Sequence, residues 1–180
     1  MGVPSQPPKV LPLLAAFSRY DEALDWARQQ ASQDWGAVIL ESPRFEFTET
    51  DFYQQEMGPD LRKTFFAFET LVDPGALPDL KLQTNDWEQQ YGNSHEHREP
   101  RPLNLDPGYI GEGKLVLAST KDHAHRIYLR DGIFAEVTLG YRSRSWKMQE
   151  WTYPDYRRED FHQFFAACRA YLREQRRAHS

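Results

Sequence analysis

The stretch HRIYLRDGIFAEVTL, residues 125–139, decides the fold. Two apolar runs flank Asp131 and Gly132. Asp-Gly between such runs is the strongest short-range hairpin signal, because a type I′ turn needs two residues that accept positive φ. A two-residue turn pairs Arg130 with Ile133, Ile127 with Glu136 and His125 with Thr138. Directly paired residues point to the same side of a sheet. His125, Ile127, Leu129, Phe134, Glu136 and Thr138 are therefore expected on one side. Arg126, Tyr128, Ala135, Val137 and Leu139 are expected on the other. Both sides are largely apolar, which predicts a hairpin covered on both. His125 and Glu136 become diagonal neighbours, an imidazole that a carboxylate can orient, and so candidates for acid–base work with Asp122 beside them.

Outward from the hairpin, residues 10–17 form an apolar run that reads as a buried strand. Asp21 can cap a helix that carries Leu24, Ala27 and Ala31 on one face. Residues 37–40 and 61–72 read as further strands. Leu77, Leu80, Thr84, Trp87 and Tyr91 recur at helical spacing. Residues 102–106 are extended and run into a turn at Asp106, Pro107 and Gly108. Residues 114–118 are apolar but too short to assign. Phe161, Phe164, Phe165, Cys168, Tyr171 and Leu172 make one apolar stripe on a final helix. The pattern is α+β: a single domain over residues 10–177, with a mixed, mostly antiparallel sheet covered by helices. Residues 1–9, rich in proline, read as a flexible lead-in. In order, the elements fit two successive strand-helix-strand-strand-helix units, although no sequence repeat accompanies them.

Composition narrows the function. The 180 residues are 39% hydrophobic and 14% aromatic, so the core must lean on aromatic rings. A formal net charge of -5 argues against general DNA binding. With one cysteine, Cys168, the chain forms no internal disulfide and no cysteine-rich metal site. No apolar run approaches the ~20 residues that span a bilayer. Neither a secretory leader nor a myristoylation pattern opens the chain, so cytoplasmic residence is the expectation.

Several motifs carry chemistry on paper. Residues 108–115, GYIGEGKL, nearly match a phosphate-binding P-loop. Leu115 stands where a hydroxyl would hold magnesium, so a glycine-rich turn is the better reading. His95/His97 and His123/His125 are spaced for metal ligation only if they lie on strands, and the first pair sits in a polar loop, so no metal is assigned. The acidic, aromatic residues 41–60 make either a packed loop or a ligand wall. Lys81, Asn85 and Glu88 share a helical arc beside the buried stripe and can line a groove. Arg101, Asn104, Asp106, Lys121, Asp122 and Arg126 cluster around strand ends. Turn chemistry explains Asn104, Asp106 and Asp122 but not the cations, which suit phosphate or carboxylate recognition. Residues 151–157 can stack on a ligand ring or pin the last helix. Arg169, Arg173, Arg176 and Arg177 make that helix basic, a candidate RNA surface or a face that complements the helix dipole.

The chain resembles the bacterial and archaeal domain-of-unknown-function family numbered 4416. The resemblance is carried by Thr50, Tyr53, Glu56, Met57 and Gly58; by Lys81, Thr84 and Asn85; and by the stretches 104–109, 120–122, 125–129, 136–139 and 151–156. That family has no established activity, so the resemblance implies no catalytic role. The expectation is a site for a small anionic ligand, nucleotide-like in character. Arg101, Lys121, Arg126 and Lys81 hold the anion; Asn85, Asn104 and Asp106 orient it; His125 and Glu136 supply any acid–base step; Glu56 and the acidic loop close over them. The alternatives are a non-catalytic interaction module with exposed aromatics and an RNA-associated factor. Whether the protein is an enzyme, its cofactor and its oligomeric state are not read from the sequence.

Overall fold

The elements follow in the order β1 (Leu11–Ser18), α1 (Asp21–Trp35), β2 (Val38–Glu41), β3 (Phe45–Glu46), α2 (Gln54–Met57), β4 (Arg62–Phe68), α3 (Leu77–Ser94), β5 (Asn104–Ile110), β6 (Lys114–Ser119), β7 (Ile127–Arg130), β8 (Ile133–Arg142), β9 (Ser145–Met148) and α4 (Glu159–Ala178). This is a computed structural model, and it describes residues 2–50 and 52–178. The strands form one sheet in the order β2-β4-β1-β5-β6-β8-β7, with β3 beside β4 and β9 beside β8.

Every pairing between these strands is antiparallel, so the sheet is not mixed. Interleaving is the reason. α1 carries the chain from β1 to β2, which run the same way, but β4 inserts between them. α3 carries it from β4 to β5, again parallel, but β1 lies between. The first half thus keeps the strand-helix-strand-strand-helix order, with the short β3 and α2 added. The second half is five strands and then α4, so the two-unit arrangement holds for the first half only.

β1 is buried at all eight residues because it is central and covered on both faces. On one face, Ala23, Leu24, Ala27 and Ala31 of α1 join Trp87 and Tyr91 of α3 against Leu14, Phe66 and Leu105. On the other, Phe161, Phe165, Cys168 and Leu172 of α4 meet Leu13, Phe65, Leu117 and Leu139. These positions follow the i, i+4, i+7, i+11 rows of a helix face. Tyr20, not Asp21, occupies the N-cap of α1; Asp21 lies in the first turn and pairs with Arg44 and Arg62.

The hairpin turn forms as the sequence implies, with Asp131 and Gly132 at φ 54° and 75° and Arg130 paired with Ile133. The register then slips. Tyr128 pairs with Phe134 and Ile127 with Ala135, so Leu129 is bulged and Ile127 does not face Glu136. Nor is the hairpin covered on both sides: β7 is the sheet edge, with Ile127 70% and Tyr128 58% exposed. The Asp106-Pro107-Gly108 turn is also absent, because these residues continue β5 in register with β1. A Cβ on Gly108 would lie 2.4 Å from the Val116 carbonyl oxygen, so glycine is needed for the close approach of β6. Residues 111–113 form the β5–β6 hairpin turn with no helix after them, so the glycine run is not a P-loop.

Candidate functional site

Sheet register places a row of polar side chains on one face. Lys63 pairs with Phe17, Phe17 with Asn104, Ala15 with Asp106 and Leu117 with Glu136. Paired residues and i, i+2 neighbours share a side, and Gly108 pairs with Leu117 to join the two halves of the row. Lys63, Asn104, Asp106 and Glu136 therefore stand on the face that α4 covers further along. They line a cleft of about 480 Å³ beyond the end of that helix.

The cleft exists because β5 and β6 part. Their pairing is confined to residues 108–110 and 115–117. Beyond it, β5 stays with β1 as far as Asn104, and β6 stays with β8 as far as Ser119. The backbone of Leu105, turned away from β1, has no strand to bond. Side chains of α3 take that role: the Leu105 N–H donates to Glu88 Oε1 at 2.6 Å, and Lys81 Nζ donates to the Leu105 carbonyl at 2.8 Å. Lys81 and Glu88 lie two turns apart, hence on one side of the helix. Pro107 faces the same way as Leu105 and offers no N–H to β6. α3 is a wedge between the strands.

Three charge clusters line the opening. In the first, Lys81 donates to Asp106 Oδ1 at 3.2 Å, Asn104 Nδ2 donates to Asp106 Oδ2 at 2.8 Å, and Arg101 donates to Asn104 and to Glu88. Burial pushes the Asp106 carboxyl up, but the ammoniums of Lys81 and Lys63 and its two side-chain hydrogen bonds outweigh this and hold it below its ordinary value. Glu88 goes the other way, its pKa raised chiefly by burial. In the second cluster, Lys63 pairs with Asp155, and both side chains are buried. The Lys63 ammonium lies 4.5 Å from the centre of the Phe47 ring, 4.9 Å from Tyr156 and 5.1 Å from Phe17. In the third, Arg126 and His125 both donate to Glu136 Oε2, at 2.9 and 3.0 Å, and Thr138 donates to Oε1. Arg126 also donates to Ser119, to the Lys121 carbonyl and to the Tyr153 hydroxyl.

The outer edge of β8 between β7 and β9 is closed by the segment after β9. Trp151 Nε1 donates to the Val137 carbonyl and Thr152 Oγ1 to the Thr138 carbonyl. Trp151 stacks on His125 with centroids 5.3 Å apart and planes 10° apart. This anchoring delivers Tyr153 and Tyr156 to the cleft wall, opposite Phe47, Phe52 and Tyr53 from the acidic loop. Lys121 sits at the rim, its ammonium 4.8 Å from the centre of the Phe52 ring. Among the described residues it makes no ion pair.

Of the residues singled out by sequence, Lys81, Arg101, Asn104, Asp106, Lys121 and Arg126 line the cleft, as does Glu136. His125 backs Glu136 without lining the cleft; it lies before β7, in a turn where the Arg126 N–H donates to the His123 carbonyl, and meets Glu136 from there at 3.0 Å despite the slipped register. Asn85 on α3 and the exposed Asp122 do not line it. Glu56 is largely exposed; its carboxylate approaches the Arg101 guanidinium to 3.8 Å, and its carbonyl accepts the Arg101 N–H at 3.1 Å. Tyr153 and Tyr156, from the stretch expected to stack on a ligand ring or pin the last helix, also line the cleft, whereas sequence reading passed over Lys63, Asp155 and Ser119. A signal existed for Lys63: it alternates with Phe65 and Ala67 on one face of a strand buried on both, where an unpaired lysine is untenable.

His123 of the second histidine pair also lines the cleft, while the other motifs go elsewhere. His95 and His97 stack with Tyr91, and His97 Nε2 lies 3.0 Å from the Tyr91 hydroxyl. Arg169 and Arg176 of α4 donate to Glu112 in the glycine turn, and the Arg169 guanidinium lies 3.7 Å from the centre of the Tyr141 ring. No helix among the described residues is long and apolar enough to cross a membrane.

The model of one family, described as a domain of unknown function (DUF4416), matches residues 8–171. No curated protein matches the sequence.

Proposed function

We propose that this chain, which belongs to the DUF4416 family, binds a small anionic ligand, nucleotide-like in carrying a ring beside its charge, in the cleft between β5 and β6. The observation that carries this reading is the parting of two paired strands by α3, which turns a sheet face into a hollow lined by charged and aromatic side chains. Most cations there are already matched: Lys63 by Asp155, Lys81 by Asp106, Arg126 by Glu136. Lys121 remains to receive an anion, helped by Arg101, which is bonded to Glu88 and Asn104 but keeps part of its guanidinium at the surface, with Asn104 and Asp106 orienting the rest of the molecule. Arg126 braces the wall instead of touching the ligand, since its guanidinium is spent on four protein groups. Any acid–base step falls to Glu136 at the cleft wall, with His125 bonded behind it; Asp122 does not line the cleft.

A thermal-shift screen tests this with inorganic phosphate, pyrophosphate, nucleotides and sugar phosphates, each with and without magnesium. A ligand at ~100 times its dissociation constant stabilises by ~2.7 kcal/mol, a rise of roughly 5–10 °C for a chain of this size. Lys121→Ala should remove the shift. Silence from every anion overturns the reading.

A second reading has its own observation. β7 is an edge strand with Ile127 and Tyr128 exposed, and such an edge accepts a strand from another chain. Sedimentation at rising concentration, with Ile127→Lys as control, decides whether a second copy takes that place.

A further inference from the structure

Tyr156 is 2% exposed, and its ring packs among Phe65, Phe165 and Phe161 at centroid distances of 5.8, 6.0 and 6.1 Å. It also lines the cleft. Its hydroxyl has no hydrogen-bond partner among the described residues. Buried hydroxyls are nearly always bonded, so an orphan at the wall of a hollow marks where a ligand atom belongs. Burial first, then the carboxylates of Asp155, Asp106 and Glu136, raise its pKa well above the usual phenol value. The phenol therefore stays neutral and can both donate and accept.

Those same carboxylates determine what kind of group can meet it. Each is paired with a protein cation, yet a carboxylate offers about four lone-pair sites, and the protein bonds given above fill only some. A ligand hydroxyl can donate to one of them while accepting from Tyr156. A fully ionised phosphate cannot, because it has no proton to donate to a carboxylate. Lys121, exposed at the rim, offers the opposite environment, a cation beside an aromatic ring and without an ion pair among the described residues.

We propose that the Tyr156 hydroxyl and the Asp106 carboxylate form an inner subsite for ligand hydroxyls, while Lys121 and Arg101 at the rim take the anionic group, so that the ligand is a phosphorylated polyol. This rests on the anion-binding reading above and adds the class of ligand. A free sugar phosphate and the ribose phosphate of a nucleotide share that chemistry.

Titration calorimetry and thermal shift on the full chain separate the claims. The probes are inorganic phosphate, ribose 5-phosphate, adenosine monophosphate and phosphoethanolamine; the proteins are wild type, Tyr156→Phe and Lys121→Ala. Wild type should bind ribose 5-phosphate or adenosine monophosphate about tenfold more tightly than inorganic phosphate. Tyr156→Phe should erase that advantage, about the tenfold of one hydrogen bond, with phosphate affinity and melting temperature undiminished. Lys121→Ala should weaken all phosphates alike. Equal polyol binding by Tyr156→Phe overturns the inner subsite while anion binding stands. A fall in its melting temperature overturns it too, by showing that the hydroxyl has a protein partner. Preference for phosphoethanolamine replaces the polyol with an ammonium ligand and overturns the class. Failure of every phosphate to bind removes the anion reading and the subsite together. Ribose 5-phosphate against adenosine monophosphate tells whether a base is needed.

Discussion

The carboxylate of Glu88 accepts the backbone N–H of Leu105 at 2.6 Å, a side chain standing in for a neighbouring strand. Glu88→Ala leaves that N–H without a partner in a half-buried setting, an expected loss of about 1–3 kcal/mol. Glu88→Gln keeps an acceptor and should lose less. Urea unfolding of the two variants measures the difference, and equal losses would show that the acceptor is not what matters.

Arg126 and Glu136 are each 2% exposed at the side chain and 2.9 Å apart. Removing one charge strands the other. Glu136→Ala is expected to cost about 3–5 kcal/mol, and Glu136→Leu combined with Arg126→Leu should recover much of it. A double-mutant cycle by urea denaturation reads the coupling. Additive losses would remove the pair as a unit.

Gly108→Ala places a methyl group 2.4 Å from the Val116 carbonyl oxygen and 2.7 Å from Leu117 Cδ2. Strands at this join cannot separate without breaking the hairpin. About 1–3 kcal/mol or more of destabilisation follows, measured as a lower melting temperature.

The Asp106 carboxyl sits below its ordinary value of 3.8 in the folded chain. A carboxylate with a depressed folded pKa contributes stability above the unfolded value and loses it as pH falls through the folded one. Stability should therefore decline as pH drops below about 3.8, and Asp106→Asn should flatten that decline. Glu88, raised by burial, acts in the opposite sense: its contribution is complete below its ordinary value of 4.5 and is lost as pH rises. Urea midpoints across pH 2.5–6 separate the two, an interval chosen to bracket the usual carboxylate range.

Ile127→Ser, on the exposed edge strand, should change stability by less than about 0.5 kcal/mol despite removing a large apolar group. A larger loss in dilute solution would mean that β7 is covered by something.

What the sequence makes legible is local. Leu77, Leu80, Thr84, Trp87 and Tyr91 announce the inward face of α3, and Phe161, Phe165, Cys168 and Leu172 that of α4, because helical spacing needs no knowledge of the partner. The Asp131-Gly132 turn is likewise local. The slip at Leu129 is not, since it depends on β7 lying at an open edge. Long-range satisfaction is also hidden. Lys63 meets Asp155 across 92 positions, and Leu105 is answered by a helix, not by a strand. The cations expected to gather do meet in one hollow, but several bring their own carboxylates, which residue type and spacing do not reveal.

A hollow held open by a wedge belongs to the helix as much as to the sheet. If α3 lifts away, Leu105 regains a free edge, and little but the missing amide of Pro107 stops the two strands from zipping towards Ser119. Substitutions on the remote side of α3 that loosen its seat should then shrink the binding space without altering one residue inside it.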